Sequence, residues 1–258
     1  MNEIKESDAS NDFQRRACFY EDKSRWVTDP SINNVPYTFL ESRATLGDML
    51  DAGGGTGYLS SFLTNRLPAS SVTIVDASKN MLALAREKMP YVNLINSTIE
   101  SFSRANDRKY DTIIARQIFH YVQDENEVVR LLKNQLKNNG LFYVGQFVVT
   151  DDDSNEWHAN LIRRISVNRK RSFTLDAFQN LFKSNGFRIL KCSMSNYEEN
   201  IKDFYSRRMN PELDYESLLS GARKTLNDQV SKSLFIKLED DNLFFTVQFC
   251  HLLLAHQH

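Results

Sequence analysis

The densest chemical information in the sequence lies in seven residues, Asp51-Ala52-Gly53-Gly54-Gly55-Thr56-Gly57. Gly53, Gly55 and Gly57 let the backbone turn tightly and let a ligand approach with no Cβ in the way. A helix that begins straight after such a loop points its unpaired N–H groups into the same space. Asp76 follows 25 residues after Asp51, where a carboxylate can accept hydrogen bonds from both hydroxyls of a ribose. The glycine run is also compatible with a plain tight turn, and Asp76 with an ordinary acid at a helix start. A dinucleotide-binding loop, G-x-G-x-x-G, needs a third glycine where this chain has Tyr58, and the G-K-[ST] of a phosphate-binding loop is absent.

The elements that would position these residues follow from the pattern around them. Met49-Leu50 leads into the glycine loop, and Gly57 to Leu67 is predicted as a helix stopped by Pro68. Short apolar runs at Val72–Val75, Val92–Ile95, Tyr110–Ala115 and Leu141–Val149 are predicted strands, alternating with helices near Ser78–Lys88 and Asp124–Lys137. In the latter helix Val128, Val129, Leu132 and Leu136 share one face, and Asn138-Asn139-Gly140 is expected to end it in a left-handed cap. Strand-helix alternation with continuous apolar strands implies a parallel sheet covered on both faces. In an open sheet of that kind, ligands bind at the carboxyl ends of the strands. Beyond it, helices are expected at Asp152–Ile165 and Thr174–Ser184, with strands at Phe187–Leu190, Ser233–Lys237 and Leu243–Leu254. Residues 1–12 read as loose, 1–44 as a helical cap, 45–258 as the core, and 196–232 as a helical insertion before the last strand.

The D-x-G-x-G-x-G of residues 51–57 resembles the first motif of the class I, Rossmann-like S-adenosylmethionine-dependent methyltransferases. Asp76-Ala77-Ser78-Lys79-Asn80-Met81-Leu82 resembles their second motif, Tyr110-Asp111-Thr112-Ile113-Ile114-Ala115 their fourth strand, and Leu136…Asn139-Gly140-Leu141 the turn before the fifth, with Asn for one glycine. The likeness covers residues 45–150 well and the tail more loosely. It is most similar to the small-molecule branch of ubiquinone and menaquinone biosynthesis. The resemblance implies an α/β fold, a doubly wound, mostly parallel seven-stranded sheet whose last strand is antiparallel. It implies S-adenosyl-L-methionine as cofactor, with Asp51 on the methionine ammonium, Gly53, Gly55 and Gly57 beneath methionine and ribose, and Asp76 on the ribose hydroxyls. Ala77, Met81 and Ala115 would line the cofactor site. Asn96-Ser97-Thr98-Ile99-Glu100 departs from the family's Gly-Asp-Ala-Glu, so Ser97 and Thr98 would meet adenine through neutral hydrogen bonds.

On the acceptor side, Arg116-Gln117-Ile118-Phe119-His120-Tyr121 follows the fourth strand, where many relatives carry Leu-His-His at its last three positions. His120 could act as general base, its ordinary pKa of about 6.5 suiting the task, or could merely order the loop. Arg116 could clamp an anionic acceptor bidentately or pair with a neighbouring acid. Arg163, Arg164, Arg169, Lys170 and Arg171 form either a solvated face or an anion-binding wall. Phe13, Phe19, Tyr20, Trp26 and Tyr37 are candidates for a lid. Asp151-Asp152-Asp153 fits a helix start better than a metal site, and the metal-using branch would need an acid at Arg116, so no metal is expected.

Composition narrows the classes. A net charge of -1 creates no global field toward nucleic acid, and the Asn-Pro-Pro-aromatic tetrapeptide of amino-directed DNA and protein enzymes is absent. No nucleic-acid partner is expected, and an RNA or protein methyltransferase and a non-catalytic cofactor binder remain alternatives. No run reaches the ~20 apolar residues of a membrane span, and the charged first residues read as no secretory signal. Cys18, Cys192 and Cys250 stand far apart, as reduced and mostly buried thiols would in a cytoplasmic protein. The expectation is a cytoplasmic monomer or homodimer acting on a small molecule.

Overall fold

The computed structural model describes residues 8–166, 168–206, 214–239 and 242–257. Its elements begin with α1 (Asp8–Arg16), α2 (Tyr20–Lys23) and α3 (Pro30–Leu40). The alternating body comprises β1 (Gly47–Ala52), α4 (Tyr58–Thr64), β2 (Ala69–Asp76), α5 (Lys79–Lys88), β3 (Asn93–Asn96), α6 (Ile99–Ala105), β4 (Tyr110–Arg116), α7 (Glu125–Gln135) and β5 (Leu136–Val149). After these come α8 (Asp153–Ile165), β6 (Phe173–Thr174), α9 (Leu175–Ser184), β7 (Phe187–Asn200), α10 (Ile201–Ser206), α11 (Tyr215–Thr225), α12 (Asp228–Ser233), β8 (Lys237–Glu239) and β9 (Asn242–His256).

The sheet runs β3-β2-β1-β4-β5-β9-β7, with short β6 on β5 and β8 on β9. The pairs β1–β2, β1–β4, β2–β3 and β4–β5 are parallel, whereas β9 is antiparallel to both β5 and β7. The doubly wound, mostly parallel sheet with an antiparallel last strand is thus the observed architecture. The order reverses at β1, between β2 and β4, and a crevice opens there at the carboxyl ends of the strands. One core cluster packs α6, α7 and α9 on one face through Phe102, Val128, Leu132, Phe178 and Phe182, while Phe39, Leu40, Leu59 and Leu63 cover the other. The helix starts are fixed by side chains that accept from otherwise unpaired N–H groups: Asp29, Ser78, Thr98, Asp124, Thr174, Asp214 and Asn227.

Several expectations are corrected. Residues 8–12 are the start of helix α1, with Ser10 and Asp12 buried; residues 1–7 lie outside the described ones. The left-handed cap at Asn138-Asn139-Gly140 does not form: α7 ends at Gln135 and the chain turns extended at Leu136. Leu136 then opposes Tyr110 while Leu141 opposes Thr112, so residues 137–140 bulge out of the ladder. A Cβ on Gly140 would meet Leu136 Cδ1 at 2.7 Å, so glycine there serves a close approach and not a positive φ.

Strand β7 is 14 residues long and consumes residues 196–200, which were expected in the helical insertion. It is an edge strand whose polar outward side chains look like loop in the sequence, and its ladder is supplied by the long apolar β9. The helical part begins at Ile201, and residues 207–213 lie outside the described ones. Strand β8 starts only at Lys237, because α12 runs to Ser233 and Phe235 takes a left-handed φ of 48°. Cys18 and Cys192 are exposed; only Cys250 is buried. No helix among the described residues is long and apolar enough to cross a membrane.

Candidate active site

The glycine loop is shaped by three positive-φ residues, Gly53 (72°), Gly55 (55°) and Gly57 (70°). Gly53 and Gly54 donate their N–H groups to the Val75 carbonyl at 2.8 and 3.2 Å, tying the loop to the end of β2. A Cβ on Gly53 would sit 2.3 Å from Ile118 Cγ2, whereas one on Gly55 would meet nothing within 4 Å. Gly53 is therefore required by packing, and Gly55 leaves bare backbone facing open space. Gly57 caps α4, close to Ile74 and Ala85.

Asp76 ends β2 beneath this space. Its Oδ2 accepts from Gly55 N at 2.9 Å and its Oδ1 from Ser78 N at 2.8 Å. Burial raises its pKa, and the two N–H bonds oppose that shift. Each carboxylate oxygen keeps a further lone pair for a hydroxyl donor. Asp51 is buried under the loop, where Ser60 Oγ donates to its Oδ2 at 2.6 Å. Burial pushes Asp51 up to about 6, against the Ser60 bond and the Arg116 charge.

A cleft of about 460 Å³ opens over these residues. Of the residues anticipated from the sequence, Gly53, Gly55, Asp76, Ala77, Met81, Ser97, Thr98 and Arg116 are brought together on its walls. Asp51 and Gly57 lie just behind, in the loop's support. Ala115 is fully buried in the main core and does not reach the wall. Thr98 uses its hydroxyl to cap α6, and Ser97 Oγ donates to the Thr98 carbonyl. Helix α1 roofs the cleft: Ser10 Oγ donates to the Ala77 carbonyl, and Gln14 accepts from Asn80 N at 2.8 Å. Of the five proposed lid aromatics, Phe13 and Tyr20 line the cleft. Trp26 lies deeper, against Phe147 and Phe249, and Tyr37 packs beside Phe39 and Leu40.

Past β4 the backbone is unusual. Gln117 holds a left-handed φ of 60°, a conformation that costs an L-residue about 1–2 kcal/mol. Its N–H donates to the Gly145 carbonyl at 2.8 Å, and its side chain turns inward. Arg116 is occupied. Its Nη1 donates to Asn33 Oδ1 at 2.7 Å and its guanidinium lies 5.2 Å from the Trp26 ring centroid. Among the described residues it has no ion pair. Asn33 is itself oriented by donating to the Val27 and Asp29 carbonyls.

His120 is 3% exposed, and its Nδ1 accepts from Gln146 Nε2 at 2.9 Å. Burial, with Arg169 nearby, holds its pKa well below the usual histidine value. The imidazole is thus neutral, with its proton on Nε2 and its only lone pair engaged. The Arg/Lys cluster divides. Arg163 is exposed on α8, Lys170 reaches the cleft, and Arg171 bridges to Glu125. Arg169 turns inward to a second, smaller cavity of about 80 Å³ with Arg16, Gln117, His120 and His158. Arg16, Gln117 and His158 were not singled out from the sequence. His158 was the legible one, since it lies on the buried face of α8 with Leu161, Ile162 and Ile165. A positive φ at a glutamine leaves no signal in composition or spacing.

Bare backbone at Gly55, a two-oxygen acceptor at Asp76, apolar contact from Met81 and Ile99, and hydroxyls at Ser97 and Thr98 fit an adenosine-bearing ligand. Together with the strand order, they resemble the donor side of the class I, Rossmann-like S-adenosylmethionine-dependent methyltransferases. The family comparison agrees, and residues 49–140 match the methyltransferase domain model. The malonyl-[acyl-carrier protein] O-methyltransferase of Priestia megaterium is 31% identical over 130 residues, 50% of this chain and 46% of that protein. The matches to the first three curated relatives span less than half of each relative's length. Among solved structures, the YcgJ protein of Bacillus subtilis has a TM-score of 0.75 at 19% identity, covering 88% of this chain and 98% of its own. A methyltransferase-like protein of Bacillus halodurans has a TM-score of 0.77 at 13% identity, covering 88% and 100%. S-adenosylmethionine is the cofactor of this class.

Proposed function

We propose that the chain transfers a methyl group from S-adenosylmethionine to a small, anionic metabolite. The arrangement of Asp76 against the bare Gly55 backbone carries the donor half of this proposal. The acceptor half is supported by the cationic group beyond it, Arg169 on the smaller cavity. A second acceptor class, an acyl group borne on a carrier protein, is favoured by the activity named for the Priestia relative. Cys18 and Cys192, free at the surface, suit the reducing cytoplasm.

The cofactor, when bound, supplies an electrophilic sulfonium methyl. The chain's own part is to hold, align and dry the site. Asp76 takes the ribose hydroxyls, Asp51 answers the ammonium through the loop, and Ser97 and Thr98 meet adenine. Phe13, Tyr20 and Tyr121 exclude water, which matters because displacement needs the reacting atoms held at ~3–3.5 Å. We read His120 as a positioning residue that orders the loop, since a neutral imidazole with its lone pair on Gln146 has none left to take a proton.

A radiolabelled-methyl assay on a metabolite extract, with a carrier-protein fraction and an RNA control beside it, tests the proposal. Label confined to RNA, or none at all, contradicts it. His120→Asn should lower kcat by less than tenfold with an unchanged pH profile; a general base would cost about 10²–10⁴ and take the rising limb of the profile with it.

Cofactor affinity should depend on pH through Asp51. Its folded pKa of about 6 lies above the ordinary carboxylate value because of burial, and an ammonium ligand binds the ionised form. Affinity for S-adenosylhomocysteine is then full above that pKa and falls below it by up to about tenfold per pH unit. Calorimetry between pH 5 and 8 reads this directly; a flat profile would leave Asp51 as a loop anchor only. The same raised pKa means that without ligand Asp51 lowers fold stability as pH rises through the interval from its unfolded value to about 6.

A further inference from the structure

The smaller cavity behind the cleft has chemistry of its own. It shares Phe13, Tyr20, Gln117 and Tyr121 with the cleft, so the two spaces adjoin. Four buried nitrogens of residues that line it have no hydrogen-bond partner: Arg16 Nε, Gln117 Nε2, His158 Nε2 and Arg169 Nη2. Buried polar groups are ordinarily satisfied, so four on the residues around one small space are a concentrated exception.

Each of the four can donate. Gln146 Nε2 gives one hydrogen to His120 Nδ1 at 2.9 Å and shares the other between Gln117 Oε1 at 3.2 Å and the Phe147 carbonyl at 3.3 Å. That orients both amides and leaves the Gln117 Nε2 as the free end. His158 is 2% exposed, and burial takes it down to about 3, so its ring is neutral and its Nε2 can carry a proton. Arg169 is lowered by burial only to about 10 and stays charged at neutral pH, its Nε already donating to the Arg171 carbonyl. Arg16 is stacked near Phe13 and Tyr20, its guanidinium 5.2 and 5.5 Å from their ring centroids. Glu199 also lines the cavity but has a partner of its own.

We propose that this cavity is a recognition subsite for a compact carboxylate, held by Arg169, Arg16, Gln117 and His158 with aromatic walls around its stem. The proposal rests on the reading of the neighbouring cleft as the methyl-donor site, and it names the substrate class of that site. A cavity of about 80 Å³ is several times the minimum for one water and accommodates a carboxylate head with a short stem, the rest extending into the cleft. Two arginines disfavour an amine, although the aromatic walls would otherwise suit one. Arg116 is not the clamp, because Asn33 and Trp26 already hold it.

Ligand-observed NMR and calorimetry with acetate, malonate and benzoate, each against its neutral amide, test this on the full chain without turnover. At least one carboxylate should bind at least tenfold more tightly than its amide. Arg169→Gln should weaken that carboxylate about ten- to hundredfold, as loss of a charge-assisted bond does. The melting temperature of the ligand-free variant should stay or rise, because an unpaired buried charge has been removed. His158→Phe, near in shape and lacking the donor, should weaken the carboxylate severalfold without changing the amide. Equal binding of acid and amide, or an unchanged dissociation constant in both variants, overturns the subsite. S-adenosylhomocysteine binding is measured in parallel: its loss in the unmodified protein would sink the donor-site reading, whereas its retention with no carboxylate binding sinks the subsite alone.

Discussion

Asp76→Ala is expected to lower affinity for S-adenosylhomocysteine by about 10²–10³-fold, the size of two charge-assisted hydrogen bonds at ~1.5–2 kcal/mol each. The carboxylate is held by two backbone N–H groups, from Gly55 and Ser78, so it presents its remaining lone pairs in a fixed direction. Asp76→Asn keeps one acceptor oxygen and should fall between the alanine variant and the parent. Both variants should melt within a few degrees of the parent, because the carboxylate is buried against its preference and its loss removes a desolvated charge. Calorimetry supplies the affinity and a thermal melt the control. Unchanged affinity in the alanine variant would remove Asp76 from the cofactor site and with it the main support for the donor half of the function.

The largest effect on the fold should come from Phe182→Ala. Phe182 is fully buried at the centre of an aromatic cluster, with ring centroids of Phe178 at 5.2 Å, Phe119 at 5.4 Å, Phe142 at 6.0 Å and Phe187 at 6.2 Å. Truncation leaves a cavity that α9, β5, β7 and the turn after β4 cannot all collapse into, and such changes cost about 3–5 kcal/mol. A domain of this size loses about 10 °C of melting temperature for that penalty, at ~2–4 °C per kcal/mol. Phe119 is the neighbour of His120, so the same variant should loosen the loop that carries the acceptor side and raise the acceptor KM. Urea denaturation checks the first part, and a loss below 1 kcal/mol would mean the cluster repacks freely.

What the sequence made legible is the donor side. Gly53, Gly55 and Asp76 announce themselves because the chemistry needs one residue type at one spacing, and local sequence places them on consecutive elements. The parallel strands were legible for a similar reason, as continuous apolar runs between amphipathic helices. Their edges were not. Strand β7 is polar outward and gains its identity from pairing with β9, some fifty residues away in the chain, so no local pattern carries it. The bulge at residues 137–140 looked like a helix cap because Asn-Asn-Gly suits both, and only the register of β5 on β4 decides between them.

The acceptor side was hidden by the same non-locality. Arg16 comes from α1, Gln117 from the turn after β4, His158 from α8 and Arg169 from the segment beyond it, and only the fold brings them to one cavity. Arg116 stood out because it is charged and next to the motif. Its guanidinium proves to be engaged by Asn33, a residue of α3 that carried no signal. Arg169 was visible only as one of five cations, and nothing in the run distinguishes the inward side chain from the outward ones.

The roof formed by α1 gives the two spaces a thermodynamic relation. Phe13 and Tyr20 belong to both walls, and Arg16 lies close to both rings. Whichever ligand binds first and settles these side chains meets the cost of ordering them for the second. Linkage then makes the effect mutual: the factor by which a filled cleft improves acceptor affinity equals the factor by which a filled inner cavity improves cofactor affinity. With both proposed ligands bound, α1 through Phe13 and α2 through Tyr20 would be the coupling elements between donor and acceptor.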